Sequence, residues 1–152
     1  MKIILFAASA IIGIACSGAA FAKDEMMRQG DHHEMHMTDM RISLGLPAEM
    51  KQHQLSNMRE HLEAIRSITG LVSENKFEEA SGIAHAKLGL TADMQAMCNM
   101  FDNKDFKALG LAFHKSGDDL GEVLKTRNMK ASLRALNKTM QYCVECHAIY
   151  RQ

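Results

Sequence analysis

Near the end of the chain Leu133, Leu136, Met140, Cys143, His147 and Tyr150 recur at spacings of 3, 4, 3, 4 and 3. That period defines a helix with one narrow seam and is incompatible with a strand, whose side chains alternate every two residues. Three earlier stretches carry the same signature. Pro47 suits the first turn of a helix, where its missing N–H costs nothing, and Leu55, Met58, Leu62, Ile65, Thr69 and Val72 follow at helical spacing. The first helix is therefore predicted over about 47–73. A second begins at Phe77 and carries Ala80, Ile83, Ala84, Leu88, Met94, Met97 and Phe101, with a break expected near Gly89. Asp102 and Asn103 open a third, marked by Phe106, Leu109, Phe113, Leu120 and Leu124, in which Gly110, Gly117 and Gly121 lower intrinsic propensity and suit close packing. One Pro, no Trp and 13 Met agree with an all-α chain. Four amphipathic segments joined by short turns predict an antiparallel up-down-up-down four-helix bundle over 47–152.

The two ends frame this domain. Met1 and Lys2 precede an apolar run from Ile3 to Ala15 and then Ala20-Phe21-Ala22, the layout of a signal peptide cleaved after residue 22. The run is short against the roughly 20 apolar residues that span a bilayer, so the mature chain is expected to have no membrane span. Gly13, three residues before Cys16, also argues against a lipoprotein signal. Residues 23–46 are polar and aperiodic and read as a flexible leader. The charge is balanced, with 18 Lys plus Arg against 18 Asp plus Glu; a nucleic-acid partner, which would favour a basic excess, is not indicated.

Cys143-Val144-Glu145-Cys146-His147 is a C-x-x-C-H motif. Two thiols and an imidazole at this spacing are what covalent haem attachment requires, each Cys forming a thioether and the His serving as axial iron ligand. A zinc site would need a second ligand pair, and Cys16 and Cys98 do not supply one. A redox-active C-x-x-C would open a helix after a strand, whereas this motif closes one. With Cys16 removed and two thiols bound, Cys98 is left over and reads as a small buried hydrophobe. Because Cys143 and His147 belong to the seam of the last helix, haem c is expected inside the bundle. Export and haem attachment together place the protein in the periplasm.

A signal peptide, four helices and a C-x-x-C-H that continues as Ala148-Ile149-Tyr150-Arg151 near the C-terminus resemble the cytochrome c-prime family, over about residues 47–152. The resemblance implies one of two chemistries. Where a small or apolar residue of the first helix covers the iron, the haem is five-coordinate and binds nitric oxide or carbon monoxide. Where a Met of that helix ligates it, the protein carries single electrons between periplasmic redox partners. A homodimer through the first two helices is also implied.

On a wheel of 100° per residue, Met58 is central to the apolar stripe of the first helix and Met50 lies about 80° away and roughly 12 Å along the axis. Face and family spacing favour Met58 as sixth ligand; level favours Met50, since His147 near the end of the last helix should lie opposite the start of the first. His61 is the histidine alternative. His53, His85 and His114 read as solvated surface residues, and Arg151 as an exposed terminal residue or a partner for a haem propionate. No nucleophile and base are paired, so no enzyme activity is expected. The favoured function is electron transfer. His32, His33, Met35, His36, Met37 and Met40 in the leader combine imidazoles with thioethers, donors suited to copper.

Overall fold

The computed structural model describes residues 38–152; the expected signal peptide and most of the leader lie outside them. The all-α expectation holds. A two-residue strand β1 (Ile42–Ser43) precedes α1 (Ala48–Ser73) and α2 (Phe77–Ile83). A π-helical turn (Ala84–Leu88) continues α2, followed by α3 (Ala92–Asn99), α4 (Lys104–Lys125), α5 (Met129–Ile149) and β2 (Tyr150–Arg151). No described helix is long and apolar enough to cross a membrane.

Local chemistry sets the boundaries. Thr91, Asn103 and Asn128 each cap a helix, their side-chain oxygens accepting from the backbone N–H of Met94 (3.2 Å), Phe106 (2.9 Å) and Ala131 (3.0 Å). Asn75 and Arg127 turn the chain with φ of 60° and 55°. The break expected near Gly89 is present and has a steric cause. Gly89 is extended, and a Cβ there would run into the Asp118 carboxylate and the His85 carbonyl.

Helix α1 packs on α2 and the π turn, α4 packs on those same two segments and on α3, and α4 and α5 form the most extensive pair. The main core joins Ala64, Ile68 and Val72 of α1 to Phe77 and Leu88 and to Leu120, Leu124 and Leu136. The glycines of α4 serve this helix packing. A Cβ on Gly117 would collide with the Leu88 backbone, and one on Gly121 with the His85 ring.

Three expectations are corrected. The flexible leader expected over 23–46 runs too far, because Ile42 and Ser43 pair in parallel with Tyr150 and Arg151. Leu44 and Leu46 then pack on a second cluster of Phe101, Phe106 and Tyr150. The seam of the last helix is rotated. Its buried stripe is Ser132, Leu136 and Thr139, while Leu133, Met140 and His147 are exposed. Small hydroxyl residues take the inner face because α4 and α5 approach closely there, with Thr139 Oγ1 donating to the Ser116 carbonyl at 3.2 Å. The stripe of α1 is rotated likewise. Gln54, Asn57, His61, Ala64, Ile68 and Val72 are buried, Met58 is half-buried at the flank, and Leu62 is 71% exposed. Polar side chains on the buried side and apolar ones beside it explain why a hydrophobic pattern alone misplaces the face.

Candidate functional site

Cys143 and Cys146 are free thiols one turn apart on α5, both half-buried. Cys143 packs against the main core and Cys146 against the second cluster. Burial raises the Cys143 pKa, and burial with the neighbouring Cys143 pushes that of Cys146 up to about 11. Both are therefore neutral apolar groups at neutral pH. His147 is exposed beside them, its carbonyl accepting from Arg41 Nη1 at 3.3 Å. The motif is thus split between two surfaces: the thiols look inward and the imidazole looks along the open flank of α5.

What that flank faces follows from two contacts. On α1, Glu60 lies about 100° to one side of His61 and Met58 about 60° to the other. Lys87 Nζ lies 3.4 Å from Glu60 Oε2, so the π turn occupies the Glu60 side. Met58, with Leu55 and Leu62, turns away from it. On α5 the Thr139–Ser116 bond puts α4 on the Thr139 side, where Ala135 and Tyr142 also pack inward. His147, Met140, Leu133 and Val144 lie on the opposite flank. β1 and β2 hold the start of α1 beside the end of α5, while at the far end Arg127 Nη2 lies 3.6 Å from Glu78 Oε1. Both outward flanks accordingly border one groove, between the two long helices that are not among the closely packed pairs. Leu62 at 71% and Val144 at 69% exposure are large apolar side chains on those flanks without protein cover.

No family model, curated protein or solved structure matches this chain.

The donor set and its surroundings fit a covalent haem. The chain offers two neutral thiols, an accessible imidazole one residue on, and facing apolar walls. Among the described residues no three His, Cys, Asp or Glu side chains converge on a metal position. Of the candidate sixth ligands, Met58 is on the groove flank. Met50 packs into the second cluster with Phe101, Phe106 and Tyr150, and His61 is buried against Phe113 (ring centroids 4.9 Å) and His114 (5.4 Å). Burial and then the neighbouring His114 lower the His61 pKa to about 4.

The other histidines divide. His53 is exposed as expected. His114 is buried instead, its Nδ1 3.0 Å from the Leu88 carbonyl, because the π turn leaves that carbonyl without a helical partner. His85 is half-buried between Asp118 (2.9 Å) and Glu122 (3.1 Å), since Gly121 lets its ring lie on α4. Cys98 is buried as expected. Arg151 is exposed and lies 3.6 Å from Asp39.

Proposed function

We propose that this protein is a periplasmic c-type cytochrome that carries single electrons, an antiparallel four-helix bundle in which α2 and α3 together form the second member and the α1–α5 groove holds one haem c. The observation that supports this reading is the motif on α5, two half-buried thiols with the His147 imidazole exposed beside them, while Met58 is half-buried on α1. Cys143 and Cys146 would hold the macrocycle as thioethers, and His147 would supply the proximal nitrogen. Bound there, the group supplies a one-electron iron couple. The chain's own part is to exclude water with the facing leucines and to present a thioether sulfur, which favours ferrous iron.

Met58 is the sixth ligand in this proposal. With Met50 and Tyr150 in one cluster at the same end, antiparallel counting sets Met58 level with Tyr142, about five residues or 7.5 Å from His147. Side chains on a helix lean toward its N-terminus. In antiparallel neighbours the Met58 and His147 side chains thus lean toward each other, which closes part of that offset. Met50 lacks this advantage because it points into the second cluster.

Absorption spectra of the purified ferric and ferrous protein test the proposal. Thioether-linked haem with a low-spin ferric spectrum that resists carbon monoxide is the expected result. A high-spin ferric spectrum with ready carbon monoxide binding would instead establish the five-coordinate gas binder, and absence of haem from a protein matured with an intact attachment system would refute both.

A further inference from the structure

The backbone of His147 is held from a distant part of the chain. Tyr150 caps α5, and its N–H closes the helical ladder on the Cys146 carbonyl. The next carbonyl, that of His147, lies beyond the ladder, because the residue four positions on, Arg151, belongs to β2. Arg41, 106 positions earlier, takes that place, with Nη1 donating to the His147 carbonyl at 3.3 Å. A second residue aims the guanidinium. Asp39 accepts from Arg41 Nε at 2.9 Å and from Nη2 at 2.8 Å, one on each carboxylate oxygen, and from the Arg41 backbone N–H at 3.1 Å. Contact of the planar fork with a planar carboxylate fixes the plane of the guanidinium as well as its position, and it leaves Nη1 for the His147 carbonyl. Pairing of Ile42 and Ser43 with Tyr150 and Arg151 keeps the segment along the helix end, and the same Asp39 carboxylate lies 3.6 Å from Arg151 Nε. A cation beside the last carbonyls of a helix is also favoured by the helix dipole.

We propose that Arg41 is a positioning residue for His147: anchored by Asp39, it fixes the peptide from which the exposed imidazole projects and so limits the directions in which the ring presents its nitrogen. The inference rests on the haem reading, in which His147 is the proximal ligand. Arg41 acts through the His147 backbone, by the geometry of its fork and not by charge alone. Lys at this position would keep the charge but has a single nitrogen, which cannot hold both Asp39 oxygens and the carbonyl in one fixed plane.

Proton NMR of the oxidised haem-loaded chain tests this, since the hyperfine-shifted haem methyl and His147 ring resonances report the orientation and mobility of an axial imidazole. Arg41→Ala is expected to shift the haem methyls and broaden the His147 ring signals, with unchanged far-ultraviolet circular dichroism. Arg41→Lys should show the same changes while the Leu44 amide, which donates to the Arg151 carbonyl at 3.0 Å, stays protected from exchange because β1 remains paired. A wild-type spectrum in Arg41→Ala overturns the inference, and one in Arg41→Lys overturns it by reducing the effect to charge. Altered resonances in Arg41→Lys together with lost Leu44 protection also overturn it, since Arg41 would then only hold β1 in place. Should Arg41→Ala fail to fold, Arg41→Lys decides. Absence of haem from the wild type would refute the haem reading and this inference with it, and it is seen before any variant is compared.

Discussion

The Thr139 hydroxyl donates 3.2 Å to the Ser116 carbonyl, across the most extensively packed helix pair among the described residues. Thr139 is fully buried, and its hydroxyl also lies 3.2 Å from the Ala135 carbonyl. The buried Thr139 faces α4, and His147 on the same helix is exposed. Thr139→Val keeps the shape and removes the hydroxyl, for an expected loss of about 1 kcal/mol. Thr139→Leu must force the helices apart, for about 1–3 kcal/mol. Denaturant unfolding measures both. A Leu variant as stable as wild type would show that α4 and α5 are not closely packed.

Met50 and Met58 should part company on mutation. Met58→Ala is expected to abolish the methionine-to-iron charge-transfer band while changing stability little, since the residue lies at the flank of α1. Met50→Ala should keep the band and destabilise by about 1–3 kcal/mol, as truncation of a packed Met does. Paired spectra and thermal melts of the two variants distinguish them, and the reverse pattern would move the ligand to Met50.

Two glycine substitutions of the same kind should have opposite signs. At Gly70 in α1 nothing lies within 4 Å of an added Cβ. Gly70→Ala is accordingly expected to stabilise by about 0.5–1 kcal/mol through helix propensity. At Gly117 the added Cβ meets the Leu88 backbone. There the propensity gain is outweighed and a net loss of about 1–3 kcal/mol is expected. Melting temperatures of the two variants on either side of wild type are the readout.

Docking of β1 should be sensitive to acid. The Arg41 guanidinium beside Asp39 holds its carboxyl pKa at about 2, below the ordinary 3.8, with Arg151 adding attraction. A depressed folded value means that the contribution is present above 3.8 and is lost as pH falls through about 2. Protection of the Leu44 amide, which donates to the Arg151 carbonyl at 3.0 Å, should decline over that window once intrinsic exchange is corrected for. In Asp39→Asn it should be low and flat. Equal pH profiles in the two proteins would count against the ion pair as the cause.

The helices were readable because their signals are local. Periodicity placed α1 within a residue of its observed start, and Asn103 and Asn128 act as caps through their own side chains. The rotation of each helix was not readable in this way. Apolar spacing assigned Met58, Leu62, Leu133, Met140 and His147 to the interior, yet Gln54, Asn57, Ser132 and Thr139 occupy it. Their burial depends on neighbours distant in sequence, Met97 for Asn57 and Ser116 for Thr139. The same holds for His114, buried only because the π turn presents the Leu88 carbonyl to it.

By itself the sequence determined that the chain is helical and that two cysteines and a histidine stand one turn apart near its end, because 3.6 residues per turn convert spacing directly into adjacency. Only the tertiary structure decided which way those residues face. Close approach at Gly117, Gly121 and Thr139 fits α4 against the π turn and α5, and steric fit between separate helices is not encoded in the period of either one.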